Sequence, residues 1–299
     1  MAKVDEVESL IEQYCAGEGF EVPAPPTLDT ELVLRVTLAR RIAVSPTAYI
    51  FVIAYPEEYD ADFNSHVFAH YLIYGERKPP TTPGKWNGTP MLKHEGTWVS
   101  RKYTPIFIDH TRREVHFLIR IYRACDDYPD GGRLTRFLET IEPGHPLVLN
   151  PWHARFKLIR PGALSPVTGD VFEFKTLNIV AGGTGITPYI RFLLHNKTTQ
   201  VKLLFCNKTV KEILLKKLLD KLQERGLLEV RYLVTSESQD VIQHFRPKKN
   251  EWLEFGKLSK EYMEAFFEPD ESCTVFCGPT GMVVKTRTFA RELGLTIAQ

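Results

Sequence analysis

The sequence predicts two domains in series, an antiparallel β-domain followed by an α/β domain with a parallel sheet. A length of 299 residues suits two domains. From residue 31 to about residue 161 apolar and polar residues mostly alternate, which is the period of half-buried strands. After residue 175 short apolar runs alternate with helical patterns, which indicates parallel strands joined by helices. We expect an arm at 1–30, the β-domain at 31–161, a linker at 162–175 and the α/β domain at 176–299.

The overall composition excludes several classes of function. The net charge is +1, from 38 basic and 37 acidic residues, which argues against nucleic acid as the main partner. No apolar run approaches the ~20 residues that cross a bilayer. The first residues resemble neither a secretory signal nor a transit peptide. We therefore expect a cytoplasmic protein without a transmembrane segment, soluble or peripherally attached to a membrane.

Five cysteines, in a chain without an export signal, predict reduced thiols. Cys273 and Cys277 lie on a predicted strand, with no second pair to complete a metal site. Iron–sulfur spacing is absent too. The expectation is no metal, and any redox centre would be an organic cofactor.

The arm begins with one apolar helical face, formed by Val4, Val7, Leu10, Ile11 and Tyr14. It predicts a short helix docked on the main body. Attachment to a membrane surface is the alternative, less favoured because the polar face is acidic. A proline-rich connector, VPAPP, follows.

Short strands separated by turns predict a closed or nearly closed antiparallel barrel for the β-domain. Its strand-like runs are Leu32–Leu38, Ala48–Ala54, Val67–Tyr74, Val115–Tyr122 and Pro146–Leu149. The stretch from Gly75 to Gly96 is crowded with proline and glycine, and it predicts a long surface loop with a possible function.

Two stretches of the β-domain suit a phosphorylated, planar ligand. In SRKYTPIF, Arg101 and Tyr103 share a strand face, so that an arginine can clamp phosphate beside a ring that stacks. An edge arginine next to a core tyrosine is the alternative. In DGGRLTRFLETIEPGH, glycines precede a helical pattern, and Arg133 and Thr135 are available to an anion.

The α/β domain alternates apolar strands with helical stretches, which predicts a parallel sheet covered on both faces. The predicted strands are Leu177–Ala181, Val201–Cys206, Glu229–Val234 and Cys273–Cys277, and the predicted helices are Pro188–His195, Val210–Gln223, Ser259–Phe267 and Met282–Leu293.

The first strand of this domain leads into a turn with three glycines, Gly182, Gly183 and Gly185. A helix follows, with Thr187 as its expected N-cap and Pro188 at the first helical position. Such a turn holds phosphate or a flat ring at the carboxyl end of a strand. It is neither G-x-G-x-x-G nor a P-loop, so a tight turn without a ligand is the alternative. The last strand runs into CGPTGM, and the two glycine turns could face one groove.

Four stretches in order carry a resemblance to a known family: RKYTP at Arg101–Pro105, LIRIY with GGRLTRFL within Leu118–Leu138, AGGTGITP at Ala181–Pro188 and FCGPTGM at Phe276–Met282. A fifth, LLFCNKTVKEILL, spans Leu203–Leu215. Together they resemble the ferredoxin–NADP reductase superfamily, and within it the cytochrome b5 reductase branch, over roughly residues 31 to 295. The resemblance implies an N-terminal FAD-binding β-barrel and a C-terminal NAD(P)H-binding α/β domain, with the flavin at their junction.

The resemblance also implies site residues. Arg101 would pair with the FAD pyrophosphate, Tyr103 would pack on the flavin ring, and Thr187 and Cys277 would lie at the reacting rings. These last three are the residues with an expected catalytic role. The implied cofactor contacts are Arg101, Lys102, Tyr103, Thr104, Leu118, Arg120, Tyr122, Gly132, Arg133, Leu134 and Thr135 in the β-domain, and Gly182, Gly183, Thr184, Thr187, Pro188, Cys277, Gly278, Pro279 and Met282 in the α/β domain.

Several positions depart from the family pattern. Lys102 adds a charge next to Arg101, and His145 replaces an acidic residue. Thr235, Ser236 and Glu237 stand where cytochrome b5 reductases have an aspartate that favours NADH. Glu237 would repel a 2′-phosphate, which favours NADH, whereas the nearby Arg246, Lys248 and Lys249 leave NADPH possible.

The function that the resemblance implies is transfer of a hydride from NADH to FAD, then of single electrons to an acceptor protein such as cytochrome b5. The expected protein is a monomer, and Lys208, Lys211, Lys216 and Lys217 either steer an acidic partner or form a solvated helix face. The alternatives are an NADPH-linked reductase of another acceptor, a flavin-binding interaction module without turnover, and a phosphoryl-handling enzyme. The last lacks a P-loop lysine and paired metal carboxylates.

Overall fold

The structure is a computed structural model that describes residues 2–16, 31–63, 66–91, 96–152, 154, 156–166, 169–247 and 251–298. The chain divides into two compact units. The barrel unit holds the described residues of Pro25–Ser65 and Ala69–His153. The α/β unit holds the described residues of Met1–Ala24, His66–Phe68 and Ala154–Gln299.

Helices and strands are numbered in chain order. The helices are α1 (Ala2–Ala16), α2 (Asp60–Phe63), α3 (Thr135–Thr140), α4 (Thr187–His195), α5 (Lys216–Glu224), α6 (Gln239–His244), α7 (Lys260–Glu264) and α8 (Thr280–Glu292). Short 3₁₀ helices span Glu57–Tyr59, Gly183–Ile186 and Val210–Glu212. The strands are β1 (Leu34–Ala43), β2 (Ala48–Ala54), β3 (His70–Glu76), β4 (Lys85–Trp86), β5 (Thr89–Pro90), β6 (Trp98–Tyr103), β7 (Pro105–Asp109), β8 (Glu114–Arg120), β9 (Pro146–Trp152), β10 (Phe156–Arg160), β11 (Ala163–Pro166), β12 (Phe172–Glu173), β13 (Thr176–Gly182), β14 (Gln200–Asn207), β15 (Leu228–Val234), β16 (Trp252–Phe255) and β17 (Ser272–Cys277).

The barrel unit is built on a seven-stranded antiparallel sheet in the order β6-β3-β9-β1-β2-β8-β7. Its two outer strands, β6 and β7, are consecutive in the chain, with only Thr104 between them. Tyr103 pairs with Tyr71 at one edge and Pro105 pairs with Phe117 at the other, and the rings of Tyr71 and Phe117 lie 6.1 Å apart. Because Thr104 joins the two edges, the sheet closes on itself. The expected antiparallel barrel is confirmed.

The barrel core follows from the alternation in the sequence. Leu34, Val36 and Leu38 are buried, whereas Arg35 and Thr37 between them are exposed. Phe117 and Ile119 of β8 also face the core. Alternate residues of these strands therefore face outward, where they can carry function.

The α/β unit contains a five-stranded parallel sheet in the order β16-β15-β14-β13-β17. The four predicted strands are confirmed, and β16 is an additional strand. From β13 the chain moves outward through β14 and β15, and β17 returns to the other side of β13. In such a sheet the strand order reverses at β13 and β17, and ligands bind in the crevice at the carboxyl ends of those strands.

The predicted domain limits differ from this division between residues 154 and 175. Strands β10, β11 and β12 form a small antiparallel sheet of the α/β unit, and β11 and β12 lie in the predicted linker. Burial of Phe156 and Leu158 in β10 and of Leu164 in β11 accounts for this sheet. The backbone amide of Lys175 donates to the carbonyl of Glu271, which anchors the segment next to β17.

The predicted helix Val210–Gln223 is wrong in its first half. A 3₁₀ turn spans Val210–Glu212, and α5 begins only at Lys216. Ile213, Leu214 and Leu215 are buried in succession, and three consecutive residues cannot share one helical face. Leu215 adopts a left-handed conformation with φ of 54°, which separates the two segments.

Helix α1 packs on α5, as expected of a short docked helix. Leu10, Ile11 and Tyr14 are buried, Lys217 pairs with Glu8 and Lys221 pairs with Glu12. The side chain of Val4 and the VPAPP connector lie outside the described residues. Within the described part of the chain, no helix combines the length and apolar character that a bilayer span requires.

Candidate functional site

In the barrel unit, Arg101 and Tyr103 lie on one face of β6, opposite Ile73 and Tyr71 of β3. The Arg101 side chain is exposed, and its guanidinium donates to the neighbouring carbonyl of Ser100 at 2.7 Å. Tyr103 is half-buried, and burial raises the pKa of its phenol. The pair therefore presents a cation beside a neutral ring.

Lys102 lies on the opposite face of β6, because adjacent strand residues alternate in direction. Its Nζ stands 5.0 Å from the centroid of the Trp152 ring. The structure thus separates Lys102 from the Arg101–Tyr103 face, although the resemblance places it among the cofactor contacts. Thr104, at the barrel closure, is buried.

Strand β8 places Leu118 and Arg120 together on the face opposite to Phe117 and Ile119. Leu118 is buried and Arg120 is half-buried. Tyr122, which follows this strand, has 56% of its side chain exposed. These three residues place an apolar group, a cation and an accessible ring at the carboxyl end of β8.

The glycine turn of the barrel unit is fixed by its packing on Tyr122. Gly131 has a φ of 62°, and a Cβ there would stand 2.6 Å from the Tyr122 carbonyl oxygen. The Gly132 amide donates to that oxygen at 2.8 Å, and the Tyr122 amide donates to Thr135 Oγ1 at 3.2 Å. A methyl group at Gly132 would overlap Thr135 Oγ1. The turn and Tyr122 therefore form one cluster.

The helix after this turn is shorter than its sequence pattern suggests. Helix α3 has six residues, and its N-cap, Leu134, is itself helical in conformation and makes no side-chain cap. Leu134 and Thr135 are buried, whereas Arg133 is half-buried and lies 5.9 Å from the Trp86 ring centroid. An anion here would meet the guanidinium of Arg133 rather than the dipole of a long helix.

In the α/β unit, β13 leads through Gly183, with φ of 53°, into the 3₁₀ helix Gly183–Ile186 and directly into α4. The prediction of Thr187 as N-cap is wrong. The capping position is Ile186, which is already helical, and it makes no side-chain bond. Pro188 does lie in the first turn of α4. Thr184, Thr187 and Pro188 are all half-buried.

The two glycine turns of this unit contact each other. Ala181 of β13 pairs with Cys277 of β17, so both strands end at the same edge. A Cβ at Gly182 would stand 2.7 Å from Met282 Sδ and 2.9 Å from Pro279 Cδ. A Cβ at Gly278 would stand 2.5 Å from Met282 Cε. The expected meeting of these turns is therefore present, and both turns pack closely around Met282.

The neighbouring strand β14 ends in Asn207, which was not among the predicted site residues. Only 4% of this residue is exposed, and among the described residues its side-chain nitrogen and oxygen have no hydrogen-bond partner. A buried amide without partners is costly, which makes Asn207 suited to a polar ligand. Its position at the end of a parallel strand was the available sequence signal.

Glu237 lies beside this strand end. Its carboxylate accepts from the Val210 amide at 2.8 Å and from the Ser238 amide at 3.1 Å. The Thr235 amide donates to the Asn207 carbonyl at 2.9 Å, which holds the two loops together. The Arg246 guanidinium donates to the carbonyls of Gln243 and Phe245, and Lys248 and Lys249 lie outside the described residues.

Comparison with known proteins agrees with this geometry. Residues 179–288 match the family described as "Oxidoreductase NAD-binding domain". "Nitrate reductase [NADPH]" of Phytophthora infestans is 26% identical over 92% of this chain and 31% of its own length. "NADH-cytochrome b5 reductase 2" of Danio rerio is 29% identical over 66% of this chain and 68% of its own length. The cytochrome b5 reductase domain of Ulva prolifera nitrate reductase has the same fold, with a TM-score of 0.70 at 22% identity over 92% of this chain and 99% of that domain.

The resemblance to the ferredoxin–NADP reductase superfamily that the sequence motifs indicate is confirmed. The predicted fold class and the prediction of an oxidoreductase are confirmed. The chain spans less than a third of the length of two nitrate reductases that it resembles, 31% and 27%. The residue roles that the superfamily pattern implies stay predictions.

Proposed function

We propose that this protein is a flavoprotein reductase that passes a hydride from NADH to FAD and then single electrons to a protein acceptor. One observation carries the proposal: two glycine turns contact each other at the carboxyl ends of β13 and β17 with no space for side chains. Two glycine turns that meet at a strand-order reversal lie where open α/β sheets bind dinucleotides.

The barrel unit fits FAD. Arg101 and Arg133 supply guanidinium groups, which suit a pyrophosphate because they bind phosphate oxygens in a bidentate manner. Tyr103 supplies a neutral ring for stacking, and Tyr122 supplies another that is 56% exposed. The flavin itself would accept two electrons as a hydride and release them one at a time.

The α/β unit fits a nicotinamide dinucleotide. The family match to residues 179–288 covers the glycine turns, Asn207 and Glu237. Gly183 and Gly278 leave the backbone accessible, and the amide of Asn207 offers both a donor and an acceptor to a ribose or base. Cys277 borders this site as a small side chain, and hydride transfer requires no nucleophile from it.

These residues act by binding and orientation. Holding two rings at reacting distance can lower the activation barrier by several kcal/mol. A hydride passed directly from a nicotinamide to a flavin would require no acid–base pair of the protein. The Tyr103 phenol is neutral at physiological pH, and burial raises its pKa further, so the ring would add no negative charge near the flavin.

Glu237 favours NADH as the donor. Its carboxylate is held by two backbone amides next to the strand end where a dinucleotide ribose would lie. A 2′-phosphate at that ribose would meet a fixed negative charge, and like charges repel. NADPH remains the alternative, because Arg246 lies in the next segment.

The acceptor class follows from the relatives, several of which are named NADH-cytochrome b5 reductase 2. A cytochrome b5-type heme protein is therefore the proposed acceptor. Of the lysines expected to steer it, Lys216 pairs with Asp220 and Glu251, and Lys217 pairs with Glu8. Lys208 and Lys211 are exposed, and they are the better candidates for guiding an acidic partner. A monomeric state and a cytoplasmic location stay predictions.

The proposal is tested by flavin content and reduction. Purified protein should be yellow, and anaerobic NADH should bleach the flavin absorption. Steady-state assays with ferricyanide and then cytochrome b5 should show electron transfer, with NADH preferred to NADPH. Protein that stays colourless when incubated with FAD would contradict the proposal. Yellow protein that NADH does not bleach would identify a flavin-binding module without turnover.

A further inference from the structure

We propose that the hairpin segment 81–91, within the predicted surface loop, is a support that holds the Gly131–Arg133 turn in the conformation that binds the FAD pyrophosphate. Asn87, Trp86 and Asp130 are its positioning residues. The inference rests on the proposed function, because that function makes this turn a flavin contact.

The carboxylate of Asp130 ties the hairpin segment to the turn. Asp130 is 1% exposed, and its oxygens accept from the Thr81 amide at 2.5 Å and the Asn87 amide at 2.6 Å. These backbone hydrogen bonds lower the pKa of the carboxyl, although burial opposes them. The charged form of Asp130 is therefore the form that the hairpin binds.

Asn87 and Trp86 hold the next residue of the turn. The Gly131 carbonyl oxygen accepts from Asn87 Nδ2 at 2.9 Å and from Trp86 Nε1 at 2.9 Å. Asn87 Oδ1 also accepts from the Asp130 amide at 2.7 Å. Both lone pairs of the Gly131 carbonyl are thus used, and side chains of the hairpin fix the peptide groups on either side of the Asp130–Gly131 bond.

The local sequence explains why the hairpin can present these groups. Strands β4 and β5 are joined by Asn87 and Gly88, with φ of 48° and 78°. An Asn-Gly pair with two positive φ angles is the preferred two-residue hairpin turn. It places the Asn87 side chain at the tip and the Trp86 ring, 5% exposed, beside it.

The same ring also restrains the cation of the turn. The guanidinium carbon of Arg133 lies 5.9 Å from the Trp86 ring centroid, within the range of a cation–π contact. Gly131 needs its positive φ, since a side chain there would meet the Tyr122 carbonyl. A turn that is ordered before the ligand arrives loses less entropy on binding. By ordering this turn before the ligand binds, the hairpin would strengthen the binding of the FAD pyrophosphate.

The test compares FAD with riboflavin, which lacks the phosphates. Asn87→Gly keeps the positive φ but removes the two side-chain hydrogen bonds of Asn87. Trp86→Phe keeps a buried ring but removes the Nε1 donor. Thr89→Ala, on an exposed side chain of the same hairpin, is the matched control. Flavin-free protein is titrated with each flavin and followed by flavin fluorescence, and thermal melting reports on folding.

Both hairpin variants should bind FAD about tenfold more weakly, the loss expected for one or two ordered hydrogen bonds. Riboflavin affinity should stay at the wild-type value, and Thr89→Ala should match the wild type for both ligands. Equal losses for FAD and riboflavin, or unchanged FAD affinity in both variants, would overturn the inference. Wild-type protein that binds no FAD would instead refute the proposed function itself.

Discussion

Gly185 packs against the carbonyl group of Cys277 with no room for a methyl group between them. A Cβ at Gly185 would overlap the carbonyl oxygen and would stand 2.5 Å from the carbonyl carbon and 2.8 Å from the Gly278 nitrogen. All three atoms belong to backbone and cannot rotate away. This contact joins the turn after β13 to the turn after β17, so it shapes the site proposed for the nicotinamide dinucleotide.

The first prediction follows from that contact. Gly185→Ala should weaken NADH binding by about tenfold or more, since forced backbone shifts cost about 1–3 kcal/mol. The measurement is the Kd for NAD⁺ and the KM for NADH, together with thermal melting. Gly281→Ala is the control, because a Cβ at Gly281 meets nothing within 4 Å and alanine favours helix by about 1 kcal/mol. Similar nucleotide affinity in the two variants would contradict the proposal that the contact between Gly185 and Cys277 shapes the nucleotide site.

The second prediction concerns Arg101. Arg101→Ala should lower FAD affinity about 10- to 100-fold, because hydrogen bonds to charged groups contribute about 1.5–3 kcal/mol. Flavin content after extensive dialysis is the measurement. Arg112→Ala removes another exposed arginine of the barrel unit, whose guanidinium faces Asp109, and should keep its flavin. An Arg101→Ala protein that stays fully yellow would exclude the pyrophosphate role.

The third prediction concerns the choice of nucleotide. Glu237→Gln keeps an oxygen that accepts from the Val210 amide but removes the charge. It should raise kcat/KM for NADPH several-fold and change that for NADH little, because repulsion between nearby like charges is lost. Glu229→Gln, at the amino end of β15, should change neither value. An unchanged NADPH-to-NADH ratio in Glu237→Gln would place the 2′-hydroxyl elsewhere.

The fourth prediction is a pH dependence of stability. His66 is 6% exposed, with Nε2 2.6 Å from the Leu158 nitrogen, and burial lowers its pKa to about 4 from 6.5. As pH falls below 6.5 the unfolded chain binds the proton first, so the free energy of unfolding should decrease until about pH 4. At one pKa unit per 1.36 kcal/mol, the decrease due to His66 is about 3 kcal/mol.

Urea unfolding at a series of pH values between 6.5 and about 4 measures the slope of the free energy of unfolding against pH. His66→Gln should flatten it, because the variant cannot take up the proton, and the exposed His244→Gln should leave it unchanged. His195 has its pKa lowered to about 4 as well, chiefly by burial, so part of the slope should persist in His66→Gln. Identical slopes in wild type and His66→Gln would show that His66 is not neutral in the folded protein.

Local patterns in the sequence were enough to predict the barrel strands, the parallel sheet and the glycine turns. Gly182 and Cys277 end adjacent strands, and the apolar runs and turn glycines of the sequence indicate where both strands stop. The broken helix before Lys216 was missed, since a run of buried leucines has no distinct period. The link from Asp130 to Asn87 was also missed, because no local pattern reports a hydrogen bond between positions 43 residues apart. Asn207 was missed for a similar reason: whether its side chain finds hydrogen-bond partners depends on all the residues packed around it, which no local pattern reports.

The docking of α1 on α5 has a consequence for biosynthesis. The ion pairs between them join positions 209 residues apart, and the barrel sequence lies between. At about 5–20 residues per second, a ribosome takes tens of seconds to produce the partner helix. During that interval Leu10, Ile11 and Tyr14 have no α5 to cover them, so the nascent chain offers an apolar stripe to chaperones while the barrel is already able to fold.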